Sequence, residues 1–78
     1  MYSRPEKYKI DIVNFMGWRE QHFSDSLEAI KNRAKSEIES HTQPKDLMIY
    51  RKAPGFDNWT VIFSYWFHEA SELDKLTD

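Results

Sequence analysis

The sequence predicts an α+β domain in which a three-stranded mixed sheet carries one long helix on one face and is followed by a short C-terminal helix. Three observations predict this class: an aromatic, β-branched run over residues 58–68, a helical apolar period over residues 27–41, and a length of 78 residues. That length is near the lower limit for one hydrophobic core, so residues 1–78 are predicted to form a single domain.

The run from Asn58 to His68 is predicted to be the central strand of the sheet. Three β-branched and five aromatic residues occupy its eleven positions, a composition that suits a pleated and buried surface. Period-two alternation places Ile62 and Trp66 on the side opposite most of the aromatic rings. Because both sides then carry large apolar residues, both faces of the sheet need cover at this strand.

A strand and a helix precede this run. Alternation predicts the first strand over residues 8–16, ended by Gly17, with residues 18–23 as a connection. The following helix is predicted to end before Pro44, because proline disfavours helical backbone at the residue before it. The apolar stripe of this helix consists of Leu27, Ile30, Ala34, Ile38 and His41.

The remaining elements complete a predicted order of β-α-β-β-α. Residues 46–52 are predicted to be the second strand, residues 53–58 a hairpin loop, and residues 69–76 the short helix. A helical crossover makes the first two strands parallel, and placing the third strand between them gives the order 1-3-2. The long helix covers one face, and only the short helix is left for the other. We therefore expect a partly exposed apolar patch on that second face.

Composition excludes several classes of function. The chain has no cysteine, so disulfide frameworks and thiolate metal sites are excluded. Its longest apolar run, residues 59–67, is far shorter than the roughly 20 residues of a membrane helix, and its start lacks an apolar signal region. We expect a cytoplasmic protein with no membrane partner. A net charge of -2 argues against a dominant phosphate-binding surface.

No residue pattern indicates catalysis. His22, His41 and His68 are far apart in the chain and lack the spacing of a metal site. Neither a phosphate-binding loop nor a nucleophile beside a base is present in the sequence. We expect a protein that is not an enzyme and that uses no cofactor, metal or small-molecule substrate.

Surplus aromatic residues indicate a binding surface instead. Aromatic side chains are enriched among the anchors of protein interfaces, and one helix cannot cover all of those in this chain. The predicted partner-binding residues are Phe15, Trp18, Met48, Tyr50, Phe56, Ile62 and Trp66.

Two alternatives use the same aromatic residues. A sheet that exposes aromatic rings beside basic residues also binds single-stranded RNA, and the basic residues for that role are Lys9, Lys45, Arg51 and Lys52. Burial of the same face in a homodimer is the second alternative.

The stretch Phe15-Met16-Gly17-Trp18 after the first strand is similar to a stretch near the start of the Dmd-type antitoxins. The short length, the absence of cysteine and the many aromatic, lysine and glutamate residues also resemble the small early proteins of T4-like bacteriophages. This resemblance implies a phage-type inhibitor or antitoxin that binds a host or defence protein in the host cytoplasm. The leading hypothesis is thus a small non-catalytic protein that binds and inhibits such a macromolecule through an aromatic sheet face and the hairpin loop.

Overall fold

A four-stranded antiparallel sheet is the framework of the chain, in a computed structural model that describes residues 6–40, 44–53, 58–66 and 70–77. The strands lie in the order β2-β1-β3-β4, and every neighbouring pair is antiparallel. The elements in chain order are β1 (Tyr8–Val13), β2 (Arg19–Ser24), α1 (Leu27–Glu39), β3 (Asp46–Lys52), β4 (Trp59–Ser64) and a 3₁₀ helix (Ala70–Lys75).

The α+β class is confirmed, but the predicted three-stranded mixed sheet of order 1-3-2 is wrong. The predicted connection after Gly17 is mostly strand β2, which forms a hairpin with β1. Because β2 reverses the chain direction, the crossover through α1 makes β3 parallel to β2 and therefore antiparallel to β1, its hydrogen-bonded neighbour. As a result β4, which was predicted to be central, lies at an edge of the sheet.

Helix α1 covers one face of the sheet. The side chain of Ser26 caps its first turn by accepting from the Ala29 amide at 3.2 Å. The predicted apolar stripe is confirmed at its four described positions, whereas His41 lies outside the described residues. The buried core consists of Tyr8, Ile10, Ile12, Leu27, Ile30, Ala34, Ile38, Leu47, Ile49, Phe63 and Leu73.

The C-terminal 3₁₀ helix lies on the same side of the sheet as α1. Leu73 is fully buried in the core cluster, and Leu76 packs against that cluster. The prediction that this segment would lie on the opposite face is therefore wrong. No described helix or strand lies on that opposite face, which we call the open face. Neither described helix has the length and apolar composition needed to cross a membrane.

A bulge in β4 changes which side chains reach each face. Ile49 pairs with Phe63, but the next residue, Tyr50, pairs with Val61, so Ile62 is an extra residue on β4. Phe63 therefore points into the core with Ile49, while Val61 lies on the open face. Ile62 packs against the core cluster, which contradicts its predicted place on the second face.

Candidate functional site

The loop between β1 and β2 is a tightly hydrogen-bonded hairpin turn, which we call the hairpin tip (residues 14–18). The Asn14 amide donates to the Trp18 carbonyl at 3.0 Å, and the Gly17 amide donates to the Asn14 carbonyl at 3.1 Å. The Asn14 side-chain oxygen accepts from the amides of Met16, at 2.9 Å, and Trp18, at 3.0 Å. Gly17 has a φ of +89°, the left-handed conformation found at the end of three-residue hairpin loops. The backbone of the tip is therefore held in one conformation.

This well-held turn presents large apolar side chains to solvent. Phe15 is 77% exposed, Met16 is 83% exposed and Trp18 is 69% exposed. A single exposed apolar residue is ordinary on a protein surface, but three of them on one turn form a local patch. Nothing in the packing of the described core depends on these three side chains.

A third exposed ring, that of Trp66, lies at the same end of the sheet and is 72% exposed. It follows the end of β4, where Ser64 pairs with Met48 of β3. The hairpin tip follows the end of β1, where Val13 pairs with Asp46 of β3. β4 is two strands away from β1, a separation of roughly 10 Å. We call Phe15, Met16, Trp18 and Trp66 the apolar end.

The apolar end is large for a chain of this size. If each side chain has about 200 Å² of surface, the exposed fractions leave on the order of 600 Å² of mostly apolar area. The largest exposed apolar patch on a typical monomer is about 300–600 Å², and one partner in a standard protein interface buries about 800 Å². The exposed area summed over these four side chains is therefore comparable with the area of the central part of a protein interface.

The opposite end of the sheet holds a second group of aromatic rings, which contact one another and two lysines across the open face. The Phe23 and Trp59 rings pack edge to face with centroids 5.9 Å apart. The Lys9 Nζ lies 4.3 Å from the Tyr50 ring centroid and 5.0 Å from that of Trp59. The Lys52 Nζ lies 5.8 Å from the Trp59 centroid. All five residues are half-buried, and we call them the lysine-aromatic cluster.

The predicted partner-binding residues fall into different places. Phe15 and Trp18 lie on the hairpin tip, and Trp66 is exposed at the same end of the sheet. Met48 and Tyr50 are half-buried on the open face, where the Tyr50 hydroxyl donates to the Met48 sulfur at 3.4 Å. Ile62 packs against the core on the other face. Phe56 and most of the hairpin loop around it lie outside the described residues.

The four basic residues of the RNA alternative do not form one surface. Lys9 and Lys52 belong to the lysine-aromatic cluster, with their ammonium groups over aromatic rings. Arg51 lies on the helix-covered face, where its guanidinium is 5.7 Å from the Tyr8 ring centroid and donates to the Thr77 carbonyl. Lys45 is exposed at the other end of the sheet, after the end of α1.

Tyr50 of the lysine-aromatic cluster also interacts with two charged residues, Asp11 and Arg19. Burial raises the pKa of the Tyr50 hydroxyl, and the negative charge of the neighbouring Asp11 carboxylate raises it further. The positive charge of Arg19 acts in the opposite direction. The phenol of Tyr50 is thus a packed, neutral group at physiological pH.

The polar contacts of α1 hold the 3₁₀ helix in place. The Lys31 ammonium donates to the Leu76 carbonyl at 3.0 Å, and Lys35 forms an ion pair with Asp74. The hydrogen bond between the Lys35 and Asp74 side chains raises the pKa of Lys35 and lowers the pKa of Asp74. A shallow groove between the two helices is lined by these two charges and by Ile38, Glu39 and Ser71. Because Lys35 and Asp74 pair with each other, we assign their charges to the contact between the two helices and not to a binding site.

Comparison with known proteins gave no matching family model, no matching curated protein and no matching solved structure. Among the described residues, no group of three or more histidine, aspartate or glutamate side chains is placed to hold a metal ion. The geometry of the apolar end is therefore the basis for assigning a function.

Met16 is the one residue of the apolar end that the sequence analysis did not select. Its signal was present in the sequence, because Asn14 and Gly17 bracket it with turn residues. Recognising a hairpin between β1 and β2 would have placed Met16 at the tip of the turn.

Proposed function

We propose that this chain is a non-catalytic interaction protein that docks on a larger protein by inserting its apolar end into an apolar pocket of that partner. The observation that carries the proposal is the combination, at the hairpin tip, of a backbone fixed by hydrogen bonds with three large exposed apolar side chains. A tip whose backbone is already ordered loses less conformational entropy on binding than a flexible loop would, and this lower cost favours affinity.

The chemistry of the apolar end favours a protein over a nucleic acid as the partner. Phenylalanine, methionine and tryptophan are enriched at the centre of protein interfaces, as is arginine, and Arg19 directly follows the tip. A nucleic acid surface would need a basic cluster to contact phosphates, and the basic residues of the RNA alternative are divided among three places. At the lysine-aromatic cluster, lysines also occupy positions over the rings on which bases would stack.

The sheet edges favour docking through the end of the sheet. The β2 edge carries charged residues, among them Arg19 and Glu20, and the β4 edge is interrupted by the bulge at Ile62. Charges and bulges both oppose the addition of another strand. A second copy of the chain, which is the homodimer alternative, would then have to cover the apolar end itself, and this becomes an outcome of the test below.

The resemblance to small early proteins of T4-like bacteriophages supports a narrower form of the proposal. The stretch that carries the similarity to Dmd-type antitoxins, Phe15-Met16-Gly17-Trp18, is the hairpin tip itself. We therefore propose a host or defence protein as the partner and inhibition of that protein as the result of docking. A tip inserted into a functional cleft blocks that cleft without any chemistry from this chain.

The test compares three immobilised proteins in quantitative affinity capture from a bacterial lysate. The double variant Phe15→Ser/Trp18→Ser removes the apolar surface of the tip, and Val61→Thr is the matched control. Val61 is also exposed and apolar, but it lies on β4 away from the tip, and threonine keeps its β-branched shape. We expect at least one protein that the wild type and Val61→Thr retain equally and that the double variant retains at least tenfold less.

The captured protein is then purified, and its affinity for the same three chains is measured by calorimetry. A tenfold or larger loss of affinity for the double variant alone supports the proposal. Equal capture by all three chains, or capture of nothing that depends on the tip, overturns it. Sedimentation of the wild type as a dimer and of the double variant as a monomer would assign the apolar end to a second copy.

A further inference from the structure

The chain contains a thioether sulfur that is exposed at the centre of its proposed docking surface. Met16 is 83% exposed and stands between Phe15 and Gly17 on the hairpin tip. Met48 provides an internal comparison, because it is half-buried and its sulfur accepts a hydrogen bond from the Tyr50 hydroxyl at 3.4 Å. The two sulfur atoms therefore differ in access to solutes.

Access to solutes controls the reaction of a thioether with a peroxide. A lone pair of the sulfur attacks one peroxide oxygen, the O–O bond breaks, and the second oxygen leaves as water after proton transfer. The sulfur loses two electrons and becomes a sulfoxide, while the peroxide is reduced. With hydrogen peroxide the products are methionine sulfoxide and one water molecule. An exposed sulfur at a turn meets the peroxide without any opening of the fold.

The sulfoxide changes the docking surface much more than it changes the fold. In the free chain the new S–O group is solvated, because Met16 lies outside the described core. In an apolar pocket of a partner, the same strongly polar group loses its water without gaining a hydrogen bond. Oxidation therefore weakens docking and leaves the stability of the domain unchanged.

We propose that Met16 is a peroxide-sensitive modification site that switches off docking by the apolar end. This inference rests on the proposed function for its biological consequence, since it names a way to regulate the same site. Its two physical parts, selective oxidation of Met16 and loss of affinity for apolar surfaces, do not require an identified partner. The sulfoxide is reducible by methionine sulfoxide reductases, so the change is reversible.

The first measurement compares the rates of oxidation at Met16 and Met48. The folded chain is treated with hydrogen peroxide, digested with trypsin and analysed by fragment mass spectrometry. Cleavage after lysine and arginine separates Met16, in residues 10–19, from Met48, in residues 46–51. Fragment ions also separate oxidation of Met16 from oxidation of Trp18 in the same peptide. We expect Met16 to react at least fivefold faster than Met48, and equal rates would overturn the proposal.

The second measurement is retention on a phenyl-agarose column, which is a defined apolar surface. Oxidised wild type should elute earlier than untreated wild type, and a sulfoxide reductase should restore the original elution. Met16→Leu, which keeps an apolar side chain but cannot be oxidised at position 16, should elute at the same volume before and after peroxide. An equal shift of Met16→Leu after peroxide, or no shift of the wild type, would overturn the proposal.

The partner found by capture gives the third measurement. Peroxide treatment should lower the affinity of the wild type for this partner at least tenfold and leave the affinity of Met16→Leu at its own untreated value. The urea unfolding midpoint of each chain should be the same before and after peroxide. Unchanged affinity of the oxidised wild type overturns the switch. If no partner depends on the tip, the proposed function fails, while the oxidation rates and column retention still decide the chemistry of Met16.

Discussion

The two ends of the sheet carry similar aromatic side chains, but the rings are packed within the chain at one end and exposed at the other. At the lysine-aromatic cluster, the Trp59 ring contacts Phe23 and lies near two lysine ammonium groups. At the apolar end, Trp18 and Trp66 are mostly exposed, and the turn that holds Trp18 is fixed by backbone hydrogen bonds. Aromatic content alone therefore does not identify a binding surface. The contacts within the chain decide which rings are structural and which are available to a partner.

The lysines explain how an uncovered sheet face keeps aromatic rings from water. Lys9 and Lys52 are half-buried, and each places its ammonium group over an aromatic ring. Lys9 does this for both Tyr50 and Trp59. One part of the open face is thus covered by the chain's own side chains, and the apolar end has no equivalent cover among the described residues.

The largest expected effect is the loss of the Trp59 ring. Trp59→Ala removes a half-buried indole that packs on Phe23 and lies beneath two lysine ammonium groups, and should lower the free energy of unfolding by about 2 kcal/mol. Trp66→Ala, at the other end, should change it by less than about 0.5 kcal/mol. Urea denaturation followed by circular dichroism measures both. A larger loss for Trp66→Ala would reverse the assignment of the two ends.

Substitution of Gly17 tests whether the backbone of the hairpin tip has a fixed conformation. Gly17→Ala places a β-carbon on a residue with a φ of +89°, which should destabilise the domain by about 1–2 kcal/mol. No neighbouring atom lies within 4 Å of the added β-carbon, so the cost is conformational strain and not a clash. Gly17→Asn is the matched control, because asparagine tolerates this conformation better than alanine. Equal stability of Gly17→Ala and the wild type would show that the tip has no fixed conformation.

A smaller effect is expected when the Lys9 charge is removed. Lys9→Met keeps an unbranched apolar chain over the rings but deletes the ammonium group, and should cost about 0.5–1 kcal/mol of unfolding free energy. Lys45→Met removes an equal charge from an exposed position and should cost less. If the two variants are equally stable in urea denaturation, the cation-aromatic contacts do not hold the cluster together.

The smallest effect concerns the titration of Tyr50. Burial raises the pKa of its hydroxyl, so the folded state prefers the neutral phenol. The resulting stability is fully present below the ordinary tyrosine pKa and is lost as pH rises through the raised pKa of the folded state. The difference between phenolate absorbance titrations of the wild type and Tyr50→Phe should show a transition above pH 10. A transition at or below the ordinary value would mean that the cluster is open to water.

Some elements were predictable from the sequence because their local signals agree with their tertiary environment. β3 occupies the predicted residues 46–52, and α1 buries the four described residues of the predicted apolar stripe. β2 was not predictable from its composition, because Arg-Glu-Gln-His-Phe-Ser has neither alternation nor β-branched residues. Pairing with β1 through the turn at Gly17 makes it a strand. The bulge at Ile62 likewise depends on pairing with β3, and it reverses the predicted faces of the β4 residues that precede Phe63.

Three of the four residues of the apolar end were predictable from the sequence. Phe15, Trp18 and Trp66 were selected from residue type alone, and the missing hairpin is what left Met16 out. Tyr50 and Met48 satisfy each other through a hydrogen bond that sequence spacing cannot reveal. Residue type identifies candidates for a docking surface, and only three-dimensional contacts separate them from rings that the chain covers itself.

The most direct test of this distinction is acrylamide quenching of two single-tryptophan chains over a range of protein concentrations. Trp59→Phe/Trp66→Phe leaves Trp18 as the only indole, and Trp18→Phe/Trp66→Phe leaves Trp59. We predict that Trp18 is quenched severalfold more strongly than Trp59 at every concentration, because the apolar end is open in the chain alone. Equal quenching of the two indoles, or shielding of Trp18 as the concentration rises, would contradict the account of a surface reserved for a different protein.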